Sequence, residues 1–154
     1  MVHPPVRSVL SDPDRLRALE ETELLDTPVA LMSLVASERQ FFKSALGLRE
    51  PWASRRQTPL SHSFCQHALD SPEPLVIEDA RVHPLVRDNL AIRDLDVIAY
   101  AGIPLITAAG HSLGSLCVID HRPRAWTADE IDTLAVLAAS VVSEIELATS
   151  RASG

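Results

Sequence analysis

Cysteine is scarce: Cys65 and Cys117 are the only two in 154 residues. Two are too few to staple a domain of this length, so burial must hold the core, and a reduced, cytoplasmic protein is expected. No basic-then-apolar leader opens the chain, which points away from secretion. No uninterrupted apolar run is long enough for a membrane span. The uncharged stretch from Val97 to Ser115 contains Pro104, Gly102, Gly110, Gly114 and His111, and reads as two short segments around a turn. Positive charge is also lacking. The net charge is -7, and the densest basic cluster (Arg49, Arg55 and Arg56) is too small to draw in a polyanion, so nucleic acid is not expected as a partner. Hydrophobic residues make up 46% and charged residues 23%, a balance that supports a packed core and argues against disorder. The length suits a single domain, expected over 11–149 between tails at 1–10 and 150–154.

The pattern along the chain is one of short elements. Ser11-Asp12-Pro13-Asp14 is a helix start, with a capping side chain, proline in the first turn and acid near the positive dipole end. A helix over 13–24 follows, stopped by Asp26-Thr27-Pro28. Val29 to Val35 is short, apolar and rich enough in branched residues for a strand buried on both faces. Ser37-Glu38-Arg39 makes a tight turn, and Gln40 to Ala45 returns as a second strand. The pattern breaks from Leu46 to Ser61, around Gly47, Pro51 and Pro59. A short helix is expected over 62–69, a brief strand over 75–77, and a helical turn and loop over 83–96. Ile98–Thr107 and Leu113–Asp120 are the strongest strand candidates, joined by a glycine-bearing turn at 108–111.

The last element is the clearest. Thr127 and Glu130 form a capping box, and Ile131, Leu134, Ala135, Ala138, Val141, Val142 and Ile145 recur on one helical face. That predicts a helix over about 128–148. The fold class is therefore α+β, with a central, mostly antiparallel sheet and helices packed against it.

Several blocks occur in a fixed order: Phe41-Phe42-Lys43, Ser63-Phe64-Cys65-Gln66-His67-Ala68, the run from Pro74 to Ala80, Tyr100-Ala101-Gly102-Ile103-Pro104-Leu105, and the run from Leu113 to Asp120. Together with the opening run Leu24-Leu25-Asp26-Thr27-Pro28, they closely resemble the GAF domains that precede histidine kinase or diguanylate cyclase modules in bacterial sensors. The likeness extends from about Arg15 to Leu147. It implies a PAS-related antiparallel sheet with a small-molecule pocket on one side and terminal helices that dimerise on the other. It also implies a sensory role in which binding shifts a dimer or a partner-protein contact.

One departure from the family stands out. Relatives of this kind carry an amphipathic helix between the Leu-Asp-Thr-Pro run and the first strand, whereas here Pro28 leads straight into Val29. Exposing the sheet face it would cover forfeits roughly 25 cal/mol per Å² of burial. The 13–24 helix sliding over, a second subunit, or a weakened fold would each answer this, and a homodimer is the expected remedy. No kinase, cyclase or phosphatase segment follows the last helix, so any signal is expected to leave through a partner surface or the dimer.

The catalytic motifs are weak. Gly110-His111-Ser112-Leu113-Gly114 matches a nucleophile elbow, but the elbow needs a strand-to-helix turn and here the sequence continues as strand. Cys65, His67 and Cys117 lack the paired spacing of a zinc site, and residues two apart on a helix face different ways. Relatives that reduce free methionine sulfoxide use a different cysteine set. Bilin-binding relatives place histidine directly after the cysteine, where Gln66 intervenes here, and the cyclic-nucleotide signature is missing. No cofactor is indicated, and a ligand-free interaction scaffold is the alternative function, with a methionine sulfoxide reductase-like redox protein behind it. A non-enzymatic pocket is the leading expectation, lined by Phe64, Cys65, His67, Ile77, Asp79, Tyr100 and Cys117. His62, His83, His111 and His121 read as surface or turn residues, and Trp126 as a staple at the start of the last helix.

Overall fold

Three apolar strands that alternate onto two different cores organise this chain. The computed structural model describes residues 26–153. The expected tail at 1–10 and helix at 13–24 lie outside the described residues. The strands are β1 (Val29–Val35), β2 (Arg39–Leu46), β3 (Gln57–Pro59), β4 (Leu75–Ile77), β5 (Ala99–Ile106) and β6 (Ser112–Asp120). The helices are α1 (Trp52–Arg55), α2 (Cys65–Ala68), α3 (Ala91–Asp94) and α4 (Ala128–Ser153), with 3-10 turns at Leu60–His62 and Ala80–Val82. The sheet runs β3-β2-β1-β6-β5-β4, and every neighbouring pair is antiparallel.

Successive side chains of a strand point to opposite faces, so β1, β5 and β6 feed both cores at once. Ala30, Met32, Ala101, Ile103, Leu105, Leu116 and Val118 face α4 and meet Leu134, Ala138, Val141 and Ile145. Val29, Leu31, Tyr100, Cys117 and Ile119 face the other way, onto a layer of loops and short helices carrying Phe64, Cys65, Ala80, Val86, Ala91, Leu95 and Val97. Gly114 is where β6 comes closest to β1, since a Cβ there would collide with the Ser33 carbonyl. Gly110 holds a φ of 87° in the β5–β6 turn, a conformation that favours glycine. Both glycines of the elbow-like motif are thus structural, and Ser112 sits exposed at the start of β6.

The capping box forms as read. Thr127 N–H donates to Glu130 Oε1 at 2.9 Å, and Glu130 N–H donates to Thr127 Oγ1 at 3.1 Å. Trp126 packs beside the α4 core and donates its indole N–H to the Ile77 carbonyl at 3.0 Å. The helix runs to Ser153, past the expected end near 148, so residues 150–153 are helix and not tail. No glycine or proline interrupts the sequence before Gly154, so nothing local stops it.

Other boundaries also move. The expected helix over 62–69 contracts to α2, preceded by a 3-10 turn, and the stretch read as a loop from 46 to 61 contains α1 and β3. β3 is three residues long and pairs at the sheet edge, where Pro59 faces Arg39 and costs no ladder bond of a central strand. The sheet face expected to lie open is closed in the single chain: Ala30 is 4% and Met32 1% exposed. Coverage of that face therefore gives no reason for a dimer.

Candidate functional site

The face opposite α4 holds a small cavity of about 20 Å³ between the sheet and the loop layer. Its walls are apolar: Leu31 and Ile119 from the sheet, Phe64 beside α2, and Ala91, Leu95 and Val97 from the α3 region. Four groups bring polarity to it: Gln40, His62, Cys65 and Tyr100. A volume of this size holds one water, whereas pockets for metabolites span roughly 300–1,000 Å³. The site is closed in this conformation.

Hydrogen bonds pin the closed layer to the sheet. Gln40 Nε2 donates to Thr58 Oγ1 at 2.8 Å, and Ser63 Oγ donates to Gln40 Oε1 at 2.7 Å. Asn89 Nδ2 donates to the Ser63 carbonyl at 2.9 Å, tying the stretch before α3 to the start of α2. At the rim, His62 Nε2 lies 2.7 Å from Asp94 Oδ2 and the imidazole packs against the Trp52 ring at 5.2 Å. Asp94 is held well below the usual carboxylate range, first by Arg93 and then by His62.

The floor of the cavity is a buried thiol cluster. The sequence places Cys65 at the first position of α2 and Cys117 in mid-β6, and the fold brings their sulfurs to 4.0 Å. Tyr100 O–H donates to Cys65 Sγ at 3.3 Å and lies 3.3 Å from Ser115 Oγ. Gly102 makes that reach possible: a Cβ there would strike Cε1 and Cζ of the Tyr100 ring at 2.7 Å, so the ring lies across the glycine. The two thiols do not titrate alike. Cys65 is lowered to about 6, chiefly because the Cys117 S–H donates to it, against the opposing effect of burial. The Ser115 and Tyr100 hydroxyls add to the lowering. Cys117 is pushed well up, because its proton is held toward Cys65 and because it is buried. Tyr100 is pushed well up by burial first, then by the neighbouring sulfurs. The arrangement is a pair that gives up one proton readily and the second reluctantly.

Of the residues expected to form a pocket, Phe64, Cys65 and Tyr100 line the cavity, and Cys117 packs against Cys65 behind them. Ile77 is fully buried in the same apolar cluster without lining the cavity. His67 points away, half-buried, with Asp70 Oδ2 4.0 Å from its Nδ1, which fits two helix positions that face different sides. Asp79 also lies elsewhere. It caps the 3-10 turn at Ala80–Val82 by accepting from Arg81 N–H at 3.1 Å, and pairs with the Arg81 guanidinium at 2.9 Å. His62, read as a surface residue, is instead 11% exposed at the cavity rim. Gln40 and Asp94 carried no signal either, since their partners lie 18 and 32 residues away in the chain. Among the described residues no three His, Cys, Asp or Glu side chains converge as a metal site.

The family model for the GAF domain matches residues 15–145. A cyclic di-GMP phosphodiesterase of Pseudomonas aeruginosa is 42% identical over 104 residues, which is 67% of this chain but 17% of that protein. The chain therefore spans about a sixth of that relative's length. The GAF domain of a phosphoenolpyruvate-protein phosphotransferase from Coxiella burnetii superposes with a TM-score of 0.72 at 18% identity, covering 98% of this chain and 88% of that one. A domain of a two-component sensor histidine kinase protein from Sinorhizobium meliloti gives 0.67 at 21% identity, over 85% and 88% of the two chains. At these identities the structures attest the fold alone. The block order, the six-stranded sheet and a family match over most of the chain agree, and the protein belongs to the GAF domain family, typical of sensory and regulatory modules.

Proposed function

We propose that this chain is a non-catalytic, cytoplasmic sensory domain whose input site is the cavity beneath the α2–α3 layer and whose output surface is α4. The carrying observation is the cavity itself: apolar walls with a few convergent polar groups, Gln40, His62, Tyr100 and Cys65, at the place where the sheet meets a loop layer. The observed state is the closed one. A small molecule binds by favouring an open state in which the α3 segment moves outward, and it shifts the equilibrium by its difference in affinity for the two states. β6 connects input to output. Cys117 and Ile119 face the cavity side while Leu116 and Val118 pack under α4, so a shift of this strand is felt on both faces. The outer side of α4 exposes Val136 at 69% and Leu147 at 53%, one helical face apart from the packed stripe, and suits a second copy of the chain or a partner protein. Among the described residues no helix is long and apolar enough to cross a membrane.

The closed volume also favours a second reading, an interaction scaffold that binds no ligand. Thermal shift with a panel of small uncharged heteroaromatics (indole, phenol, nicotinamide, adenine) separates the two, because binding to the native state alone raises the melting temperature. The sensory reading expects at least one compound to stabilise the wild type and to lose that effect in Ala91→Leu, whose side chain more than fills the cavity. No response across the panel supports the scaffold. Light scattering on wild type and Val136→Asp tests the output surface: a dimer is expected for the first and a monomer for the second.

A further inference from the structure

We propose that Cys65 and Cys117 form a reversible intramolecular disulfide when the domain meets hydrogen peroxide, making the floor of the cavity a thiol-based peroxide-responsive site. The inference rests on the thiol geometry and does not require that the cavity accept a metabolite.

The sulfurs are 4.0 Å apart, so an approach of about 2 Å brings them to bonding distance. Only one partner has to move. Cys117 is fixed in mid-β6 between β1 and β5, whereas Cys65 belongs to a single four-residue helical turn bordered by loops. Cys65 also lines the cavity, which is of the size of a water molecule and thus close to that of the peroxide. Its surroundings are prepared for charge: hydroxyls of Tyr100 and Ser115 cluster around the pair, and Ser33 Oγ is buried with no hydrogen-bond partner of its own, leaving an O–H free to turn toward a thiolate. The lowered Cys65 thiol agrees with that assignment.

The chemistry balances in two steps. The Cys65 thiolate attacks one peroxide oxygen; the O–O bond breaks, hydroxide leaves and takes a proton to become water, and Cys65 is oxidised to the sulfenic acid. The Cys117 sulfur then attacks the sulfenic sulfur, the S–O bond breaks, and the departing hydroxide takes the Cys117 proton as a second water. In sum, two thiols and one hydrogen peroxide give one disulfide and two waters. A dithiol reductant restores the starting state by exchange. Oxidation draws α2 onto β6 and takes the Cys65 acceptor from the Tyr100 hydroxyl, which alters the cavity floor.

The test uses the full reduced chain, treated with hydrogen peroxide, quenched with catalase, denatured, alkylated with N-ethylmaleimide and weighed intact. The expected product has lost about 2 Da and takes up no label, with a Cys65–Cys117 cross-link in the peptide map and both labels regained after dithiothreitol. Reaction is expected to be at least about tenfold faster in the native protein than in denaturing guanidinium, because the fold supplies proximity. The proposal is overturned if both thiols remain alkylatable, if only sulfinic or sulfonic products appear, if the cross-link joins two chains, or if the denatured chain reacts as fast. Dimedone trapping assigns the attacking sulfur independently. Cys117→Ser is expected to accumulate a labelled sulfenic acid at Cys65 and Cys65→Ser none at Cys117, and the opposite pattern overturns the assigned roles.

Discussion

The two faces of one sheet are built on different physical terms. On the α4 face, the sheet side chains Ala30, Met32, Ala101, Ile103, Leu105, Leu116 and Val118 meet a regular helical stripe, and every one of these contacts is apolar. On the other face, the same strands meet one-turn helices and loops, and the interface includes Gln40, Thr58, Ser63, Ser115, Tyr100 and two thiols. Buried polar groups cost several kcal/mol unless paired, so the second face depends on keeping its hydrogen-bond geometry where the first depends on packing alone. The difference sets a regular, apolar scaffold apart from the layer that is proposed to respond. Elements that must move come from the less stable part of a structure.

The sharpest way to break this comparison is to remove equal side chains from the two faces. Leu134→Ala on α4 is expected to cost about 4 kcal/mol, because a rigid helix–sheet seam cannot collapse around the void. Leu95→Ala beside the cavity is expected to cost about 2 kcal/mol, since a loop layer relaxes more fully. Urea denaturation measures both. Equal losses would show that the two faces share one degree of rigidity, and the division into scaffold and responsive layer would fail.

Next in size are the single polar contacts. Tyr100→Phe removes the hydroxyl that serves Cys65 and Ser115, and is expected to cost about 1 kcal/mol. It also removes a donor from the Cys65 thiolate. In the wild type, thiolate absorbance in the ultraviolet should therefore appear in a first step near pH 6, and in Tyr100→Phe that step should move upward. A wild type whose thiolate signal appears only in the usual thiol range would remove the distinction drawn between Cys65 and Cys117.

The same magnitude is expected from a cap on the scaffold face. Thr127→Ala should cost about 1 kcal/mol through loss of the bond to the Glu130 N–H. Burial alone would raise Glu130, but the Thr127 N–H, the Arg124 guanidinium and the Thr127 hydroxyl together hold it below the ordinary glutamate value of 4.5. A carboxylate lowered in the folded state stabilises above its unfolded pKa, and that contribution is lost as pH falls through the folded value. Stability should thus decline below about pH 4.5, and Glu130→Gln should flatten this limb of a chemical-denaturation profile.

What could be read in advance follows the same division. The α4 stripe, the capping box, the Trp126 staple and the four long strands rest on local rules of spacing; the structure places the strand ends within one residue of expectation, while α4 starts where expected and runs on to Ser153. The responsive layer obeys no period, because each of its helices is a single turn and β3 is three residues long. Phe64, Cys65, Tyr100 and Cys117 were visible through blocks shared with relatives. Gln40, His62 and Asp94 meet only through the tertiary fold, and nothing in their own neighbourhoods marks them. Asp79 and His67 sit in the same family-like blocks as true neighbours of the cavity, yet one caps a turn and the other faces Asp70. Shared blocks report shared folding as readily as a shared site.

The smallest effect on stability should come from the rim. The contact of His62 with Asp94 is a single part-buried hydrogen bond at the rim, and an asparagine oxygen can still accept it. Asp94→Asn is therefore expected to move the melting temperature hardly at all. Its sign with pH is fixed nonetheless. Arg93 and then His62 hold the Asp94 carboxyl below its ordinary 3.8, so its stabilisation is present above that pH and lost as acid protonates it. The informative readout lies elsewhere. Asp94 sits at the end of α3, and its contact with His62 spans the cavity rim between two segments that are also joined by the Asn89 side chain to the Ser63 carbonyl and by the Leu90 N–H to the Ser61 carbonyl. Weakening it should raise amide hydrogen exchange over 89–95 and speed peroxide oxidation of Cys65, with the α4 amides unchanged. A variant that leaves both rates at the wild-type level would mean that the rim does not gate the cavity. Faster exchange spread equally over α4 would mean that the two faces open together, and the comparison would reduce to a single cooperative unit.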